Sequence, residues 1–397
     1  MTVDLTEMPL PRGFLYAGTI AGLKQENKKD LGLIYTEQNG VVGAVYTRNR
    51  FPSAHVQYCQ KLTPSNRFRA LIINSGNANA ATGERGIAAN LQMAQQVAQK
   101  LNLETDQVLT SSTGIIGKPF PIEKIESSLD GLTSQLQTSP VDTAEAIMTT
   151  DTKPKLASAK FEIDGNTYSA IGFAKGSGMI HPDMGTMLAY IMTDAPLSAL
   201  NIQALTQQVT ERSFNCVSVD GDTSTNDSFF LISSHPTKHD DSVHPVVQDA
   251  LTQVAISLSK QIAADGEGAN HLIELTVKGT PSHEIAQPVM NAILTSSLVK
   301  TAIYGKDPNW GRILMAIGNG LNQTPLKCHP PTTITIQGTT VFFRGEPQPF
   351  DETALSRHLA KHEVEIEVDL HQGDFSLTGW GCDFSDEYVH INADYST

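Results

Sequence analysis

Apolar residues recur along this chain with two different periods. Leu71-Ile72-Ile73 is a continuous apolar run that stops at the turn-forming cluster Asn74-Ser75-Gly76-Asn77, the pattern of a strand buried on both faces. Ile87 to Leu101, rich in Ala and Gln, predicts a helix whose apolar stripe is Ile87, Leu91 and Val97, and Ala250 to Ala264 repeats the helical pattern. Phe161-Glu162-Ile163-Asp164-Gly165 predicts a hairpin, because Asp-Gly supplies the two positive φ values of a type I′ turn. The stretch from Ser233 to Pro245, full of Ser, His, Pro and Asp, predicts an exposed loop. After about residue 280 the texture changes. Thr333-Ile334-Thr335-Ile336 and Val364 to Leu370 alternate with period two, as half-buried strands do, and a helical pattern from Glu352 to Lys361 lies between them. The expected organisation is a large α/β region over 1–280 and a smaller C-terminal α+β domain over 281–397. No internal repeat or low-complexity tract interrupts it.

Composition narrows the classes of function. At roughly 150 residues per domain, 397 residues suggest two or three domains. A formal net charge of −14 repels phosphate backbones, and no basic patch offsets it, so nucleic acid is not an expected partner. No run approaches the roughly 18 apolar residues of a membrane span. The opening Met-Thr-Val-Asp-Leu-Thr-Glu carries acids where a secretory leader carries lysines, so a cytoplasmic location is expected. Cys59, Cys216, Cys328 and Cys382 are too scattered for a ribbon-type zinc site or a disulfide scaffold and read as buried thiols. His235 and His239 have the i, i+4 spacing of helical metal ligands, but Pro236 argues against a helix there, and no metal is expected.

The common catalytic signatures are missing: no Gly-x-Ser-x-Gly elbow, Walker loop, His-Glu-x-x-His or Gly-x-Gly-x-x-Gly occurs. Asp220-Gly221-Asp222-Thr223-Ser224-Thr225 opens like a calcium loop, yet Thr225 and Leu231 stand where that loop needs Gly and Glu. It reads instead as a polar turn whose side chains hold nearby backbone N–H groups. Between Lys175 and Tyr190, glycines and a proline prevent regular structure until Met184, and an apolar run follows Thr186. A hydroxyl at such a junction can be a nucleophile, or simply a strand-opening or capping threonine; the residue pattern leaves both open.

Seven motifs, in order, carry a resemblance. They are Asn74-Ser75-Gly76-Asn77-Ala78-Asn79-Ala80, Ser112-Thr113-Gly114-Ile115-Ile116-Gly117, Met148-Thr149-Thr150-Asp151-Thr152, Val219 to Asp227, Asp265-Gly266-Glu267-Gly268, Lys306 to Arg312, and Ile391-Asn392-Ala393-Asp394-Tyr395. With the Lys175–Tyr190 segment, and over nearly the whole chain from Pro11-Arg12-Gly13-Phe14, the sequence resembles the ornithine acetyltransferase (glutamate N-acetyltransferase) family of arginine biosynthesis. The resemblance implies a self-processing αββα-type sandwich, cut between Gly185 and Thr186 into an α chain (1–185) and a β chain (186–397) that assemble as α2β2. It also implies acetyl transfer from N2-acetyl-L-ornithine to L-glutamate through an acetyl-threonine at Thr186. The freed amine of Thr186, with an ordinary pKa of about 8, is then the base that activates its own hydroxyl. Thr113 and Gly114 are implied as the oxyanion hole, and Thr152, Lys175, Thr186, Glu267, Asn392 and Thr397 as substrate contacts. Lys175 suits an α-carboxylate and Glu267 the cation of ornithine.

No cofactor is implied, and the sequence leaves open whether acetyl-CoA is a co-substrate. One departure stands out: many family members have alanine before the cleavage threonine, and here it is Gly185. Two other readings compete, an amidase or aminopeptidase of the same self-cleaving fold with water as acceptor, and a non-catalytic amino-acid-binding protein.

Overall fold

The computed structural model describes residues 8–181, 187–237, 243–327 and 329–394. Its first sheet is organised by one long strand, Leu31–Tyr46. Residues Leu31 to Thr36 of that strand pair with Phe14–Thr19, whereas Val41 to Tyr46 pair with Ser228–Ser233. The register against Ser65–Asn74 shifts on both sides of Gly40, where the strand turns from one layer into the other. Beyond Ser65–Asn74 the first layer ends at Val108–Ser112; beyond Ser228–Ser233 the second continues through Leu188–Thr193, Asn166–Lys175 and Lys155–Ile163.

The two layers face each other across an apolar core. Tyr16 meets Phe173 edge-on at 6.3 Å, and Tyr190 OH donates to Ser111 Oγ at 2.9 Å. Leu188, Tyr190 and Met192 point into this middle core, while Ala189 and Ile191 point the other way, onto the helices Ala199–Glu211 and Pro245–Ala264. Ala17, Leu33 and Ile72 likewise lie under the helices Gly83–Leu101 and Ile122–Ser134. The result is the expected α/β sandwich, helix–sheet–sheet–helix, and burial on both faces explains why Leu71-Ile72-Ile73 and Phe229-Phe230-Leu231-Ile232 are unbroken apolar runs.

The Asp-Gly hairpin forms as expected, with Asp164 and Gly165 at φ 49° and 78°. The helix expected from Ile87 to Leu101 differs from its sequence reading. It begins at Gly83; Val97 of the expected stripe is buried, but Ile87 and Leu91 are exposed, and Ala89, Met93, Ala94 and Ala98 join Val97 on the core face. Three alanines share that face with Met93 and Val97, both fully buried. Within the expected loop from Ser233 to Pro245, Ser233 closes a strand and Pro245 opens a helix; residues 238–242, His239 among them, lie outside the described residues.

A second sheet runs Glu346–Pro347, Thr339–Phe343, Thr333–Ile336, Glu363–Asp369, Leu272–Thr280, Phe375–Cys382, Val217–Ser218. Val364, Ile366 and Val368 are buried, and Glu363 and Glu365 exposed, as the alternation predicts. Helix His283–Leu294 covers it, and Trp310–Leu321 packs against that helix, with Trp310 stacked on Phe342 of the sheet at 5.0 Å. Leu272–Thr280 and Val217–Ser218 come from the earlier side of residue 281, and the apolar core under Pro245–Ala264 continues unbroken into this sheet. Cys59, Cys216 and Cys382 are buried free thiols; Cys328 lies outside the described residues. No helix among the described residues is long and apolar enough to cross a membrane.

Candidate active site

Strand ends and loops from both sheets enclose a cavity of about 250 Å³. Thr113, Gly114, Lys175, Glu267 and Asn392 line it, together with Met187, the residue that follows Thr186. Thr113 and Asn392, 279 positions apart in sequence, therefore meet at one place. Gly185, Thr186 and Thr397 lie outside the described residues. Thr152 is exposed at the flank and is not among the lining residues.

The Thr113-Gly114 turn follows Val108–Ser112 directly and is held by asparagines. Thr113 N–H donates to Asn74 O at 3.0 Å, Ser112 Oγ to Asn74 Oδ1 at 2.6 Å, and Asn74 Nδ2 to Asn77 O at 2.8 Å. Asn226 Nδ2 donates to both Ala78 O, at 2.6 Å, and Ser112 O, at 2.8 Å, tying three of the sequence motifs together. Gly114 has φ +125°, and a Cβ there would stand 2.7 Å from Asn77 N, so only glycine fits. The roles of Asn74 and Asn226 are not visible in their motifs, because Ser112, Thr113 and Ala78 reach them from other segments.

Lys175 ends its strand with the ammonium 3.5 Å from Thr113 Oγ1, to which it donates. Burial lowers its pKa, against the pull of Asp151 and Asp227. Behind it lies a buried ionic network that the sequence reading did not detect. Lys155 Nζ, fully buried, bonds Asp151 Oδ1 and Asp265 Oδ2, each at 2.6 Å. Asp151 also accepts Gly176 N–H at 2.7 Å. Burial works against ionisation of Asp151, but Lys155 and Lys175 outweigh it and hold its pKa at about 2. Asp265 accepts the N–H and the hydroxyl of Thr152, which accounts for that side chain turning to the flank.

Glu267 follows Asp265 by two residues. Its N–H donates to Ser177 O at 2.8 Å, and its Oε2 accepts Asn392 Nδ2 at 2.9 Å from the C-terminal helix Asp386–Asp394. Asp220 is a turn-builder, as its motif suggests: it accepts the N–H groups of Met179, Ile180 and Asp222 at 2.6, 2.9 and 3.2 Å. Those bonds anchor the backbone just before the 182–186 segment. Burial raises the Asp220 pKa. Among the described lining residues Lys175 is the sole cation, against Asp220, Asp222, Asp227 and Glu267. A site with one positive and several negative groups suits a small ligand carrying a carboxylate at one end and an ammonium at the other.

Comparison with known proteins gives a consistent picture. The ArgJ family model matches residues 15–397. The arginine biosynthesis bifunctional protein ArgJ of Bacillus licheniformis is 42% identical over 395 residues, covering 98% of this chain and 96% of that protein. Its namesake in Thermotoga neapolitana is 39% identical over 398 residues, covering 98% of this chain and all of that protein. A crystal structure of the arginine biosynthesis bifunctional protein argJ from Bacillus halodurans aligns at 37% identity with a TM-score of 0.47, over 51% of this chain and 96% of that one. With the family model spanning all but the first 14 residues and relatives near 40% identical along their whole length, the chain belongs to the ArgJ family.

Proposed function

We propose that this chain moves an acetyl group from N2-acetyl-L-ornithine to L-glutamate, releasing L-ornithine and N-acetyl-L-glutamate, and that acetyl-CoA is a second acetyl source. The observation that carries this reading is the convergence of Thr113, Gly114, Lys175, Glu267 and Asn392 on one cavity beside Met187. Relatives named for arginine biosynthesis favour it over an amidase, and the word bifunctional in those names supports the second acetyl source.

In this reading the chain cuts itself between Gly185 and Thr186. The Thr186 hydroxyl, its proton taken by the new α-amine, attacks the acetyl carbonyl and keeps the acetyl group as an ester while ornithine leaves. Thr113 and Gly114 meet the developing oxyanion from a turn already fixed by Asn74 and Asn226, so no reorganisation is needed at the moment of reaction. Lys175 holds the α-carboxylate shared by ornithine and glutamate, and Glu267, steadied by Asn392, holds the ornithine ammonium. Thr397 adds a further substrate contact from the chain end; Thr152 contributes through Asp265, which accepts its N–H and hydroxyl. The two chains assemble as α2β2, which sedimentation of the purified protein tests, and act in the cytoplasm, which fractionation of cells tests.

One pocket serving two amino acids in turn demands ping-pong kinetics. Initial rates at several fixed glutamate concentrations should give parallel double-reciprocal lines, and N-acetylornithine alone should add one acetyl group to the β chain at Thr186. Intersecting lines with no acetylated chain on rapid quench would indicate direct transfer and overturn the mechanism.

Glu267 also explains a glycine. A Cβ on Gly178 would lie 2.6 Å from Glu267 Oε1 and closer still to Oε2. Gly178→Ala therefore pushes the carboxylate away while asking little of the backbone. KM for N-acetylornithine should rise about tenfold, the loss expected for one weakened charged hydrogen bond, with thermal stability nearly unchanged. An unchanged KM would separate Glu267 from substrate binding.

A further inference from the structure

The amine that activates Thr186 in turnover does not exist in the uncut chain. There the nitrogen belongs to an amide, whose lone pair is delocalised, so it cannot accept the hydroxyl proton. Self-cleavage requires another group to take that proton and to give one to the departing nitrogen.

Asp227 occupies the right place. It precedes Ser228–Ser233, which runs parallel to Leu188–Thr193 with Ser228 opposite Leu188. Ser228 N–H donates to Met187 O at 3.0 Å, so Asp227 and Met187 are neighbours at the head of two paired strands, and both line the cavity. Thr186 is one peptide bond from Met187, about 3.8 Å between Cα atoms. Asp227 is 2% exposed, and its buried Oδ2 has no hydrogen-bond partner among the described residues. An unsatisfied buried oxygen costs stability, so its presence in an active site calls for a functional reason.

The surroundings suit proton exchange. Burial pushes the Asp227 pKa well above the usual carboxylate range, while Lys175 and hydrogen bonds from Ser224 pull it back. A carboxyl moved toward neutrality both accepts and returns a proton more readily than an ordinary one. Lys175, the cation that acts on Asp227 most directly, is already engaged with the Thr113 hydroxyl and flanked by Asp151 and Glu267. Of the other lining carboxylates, Asp220 is held by three backbone N–H groups and Glu267 by Asn392.

We propose, taking Thr186 as the self-cleaving residue, that Asp227 is the proton acceptor and donor of the cut. Its carboxylate takes the Thr186 hydroxyl proton as Oγ bonds to the Gly185 carbonyl carbon. The carbon–nitrogen bond then breaks, and the same proton passes from Asp227 to the nitrogen, leaving an ester and a free amine. Water hydrolyses the ester, giving the Gly185 carboxylate and restoring the hydroxyl.

The test follows cleavage of the full-length chain on denaturing gels. Asp227→Asn should persist as a single 42.9 kDa chain, cutting at least about 100-fold more slowly than wild type, with a thermal melt close to that of uncut Thr186→Ala. Should Asn disturb folding, Asp227→Ala with added formate decides: the small carboxylate should restore cleavage in a saturable way that chloride does not reproduce. Cutting of Asp227→Asn near the wild-type rate overturns the proposal, and so does an Asp227→Ala chain indifferent to formate. Cleavage lost in Lys175→Met but kept in Asp227→Asn assigns the proton to the lysine and overturns it too. A wild-type chain that never splits removes the Thr186 reading itself, before any Asp227 variant is compared.

Discussion

Thr186→Ala is expected to remain one uncut 42.9 kDa chain without acetyltransferase activity, where the wild type runs as pieces of roughly 20 and 23 kDa by residue share. The larger wild-type piece should begin Thr-Met-Leu-Ala-Tyr on amino-terminal sequencing. Both effects have one cause, because the same hydroxyl opens the peptide bond and later carries the acetyl group. Removing a covalent nucleophile costs on the order of 10⁶ in rate, more than the loss of any positioning group. Thr186→Ser keeps a hydroxyl and should still cut, which separates chemistry from misfolding. If Thr186→Ala splits at this bond, the nucleophile is elsewhere.

Lys155→Met should be strongly destabilising. Methionine fills much of the same volume but leaves Asp151 and Asp265, now without their shared cation, in a site closed to water. Breaking a buried ionic group from one side costs about 3–5 kcal/mol, because the partners' desolvation is no longer offset. The pH dependence identifies the cause. In the wild type, Asp151 has a folded pKa of about 2, below its ordinary value near 3.9, so its contribution is present above pH 4 and lost as pH falls toward 2. In Lys155→Met the same carboxyl is raised, so the penalty grows as pH climbs through 4 and is small in acid. Urea unfolding at pH 7 and pH 3 should therefore show a large deficit at the first and a much smaller one at the second. A deficit equal at both would attribute the loss to alkyl packing. Catalysis should fall as well, since Asp151 holds the backbone after Lys175 and Asp265 leads into Glu267.

Much of the local structure was legible in the sequence, because its causes are local. Two positive φ values at Asp164-Gly165 define a hairpin wherever it occurs, and alternation at Val364 to Leu370 needs only one buried face. Five of the residues named from motifs, Thr113, Gly114, Lys175, Glu267 and Asn392, do share a cavity. What those motifs do not contain is distance. The strand Leu31–Tyr46 serves two layers only because both layers exist to pair with it, and which face of the helix Gly83–Leu101 is buried, Ala89 and Met93 rather than Ile87 and Leu91, depends on what it packs against. The Lys155 network joins residues 110 positions apart, and Thr152 turns to Asp265 across 113. Asp227 reads in sequence as one more polar turn residue; burial and an unpaired oxygen, which set its chemistry, arise only when parallel strands bring it beside Met187. Residue types and turn chemistry were thus determined by the sequence itself. Which carboxylates are paired, which are stranded, and which pKa values shift was decided by tertiary structure, because desolvation and Coulomb attraction depend on neighbours that the chain brings together only on folding.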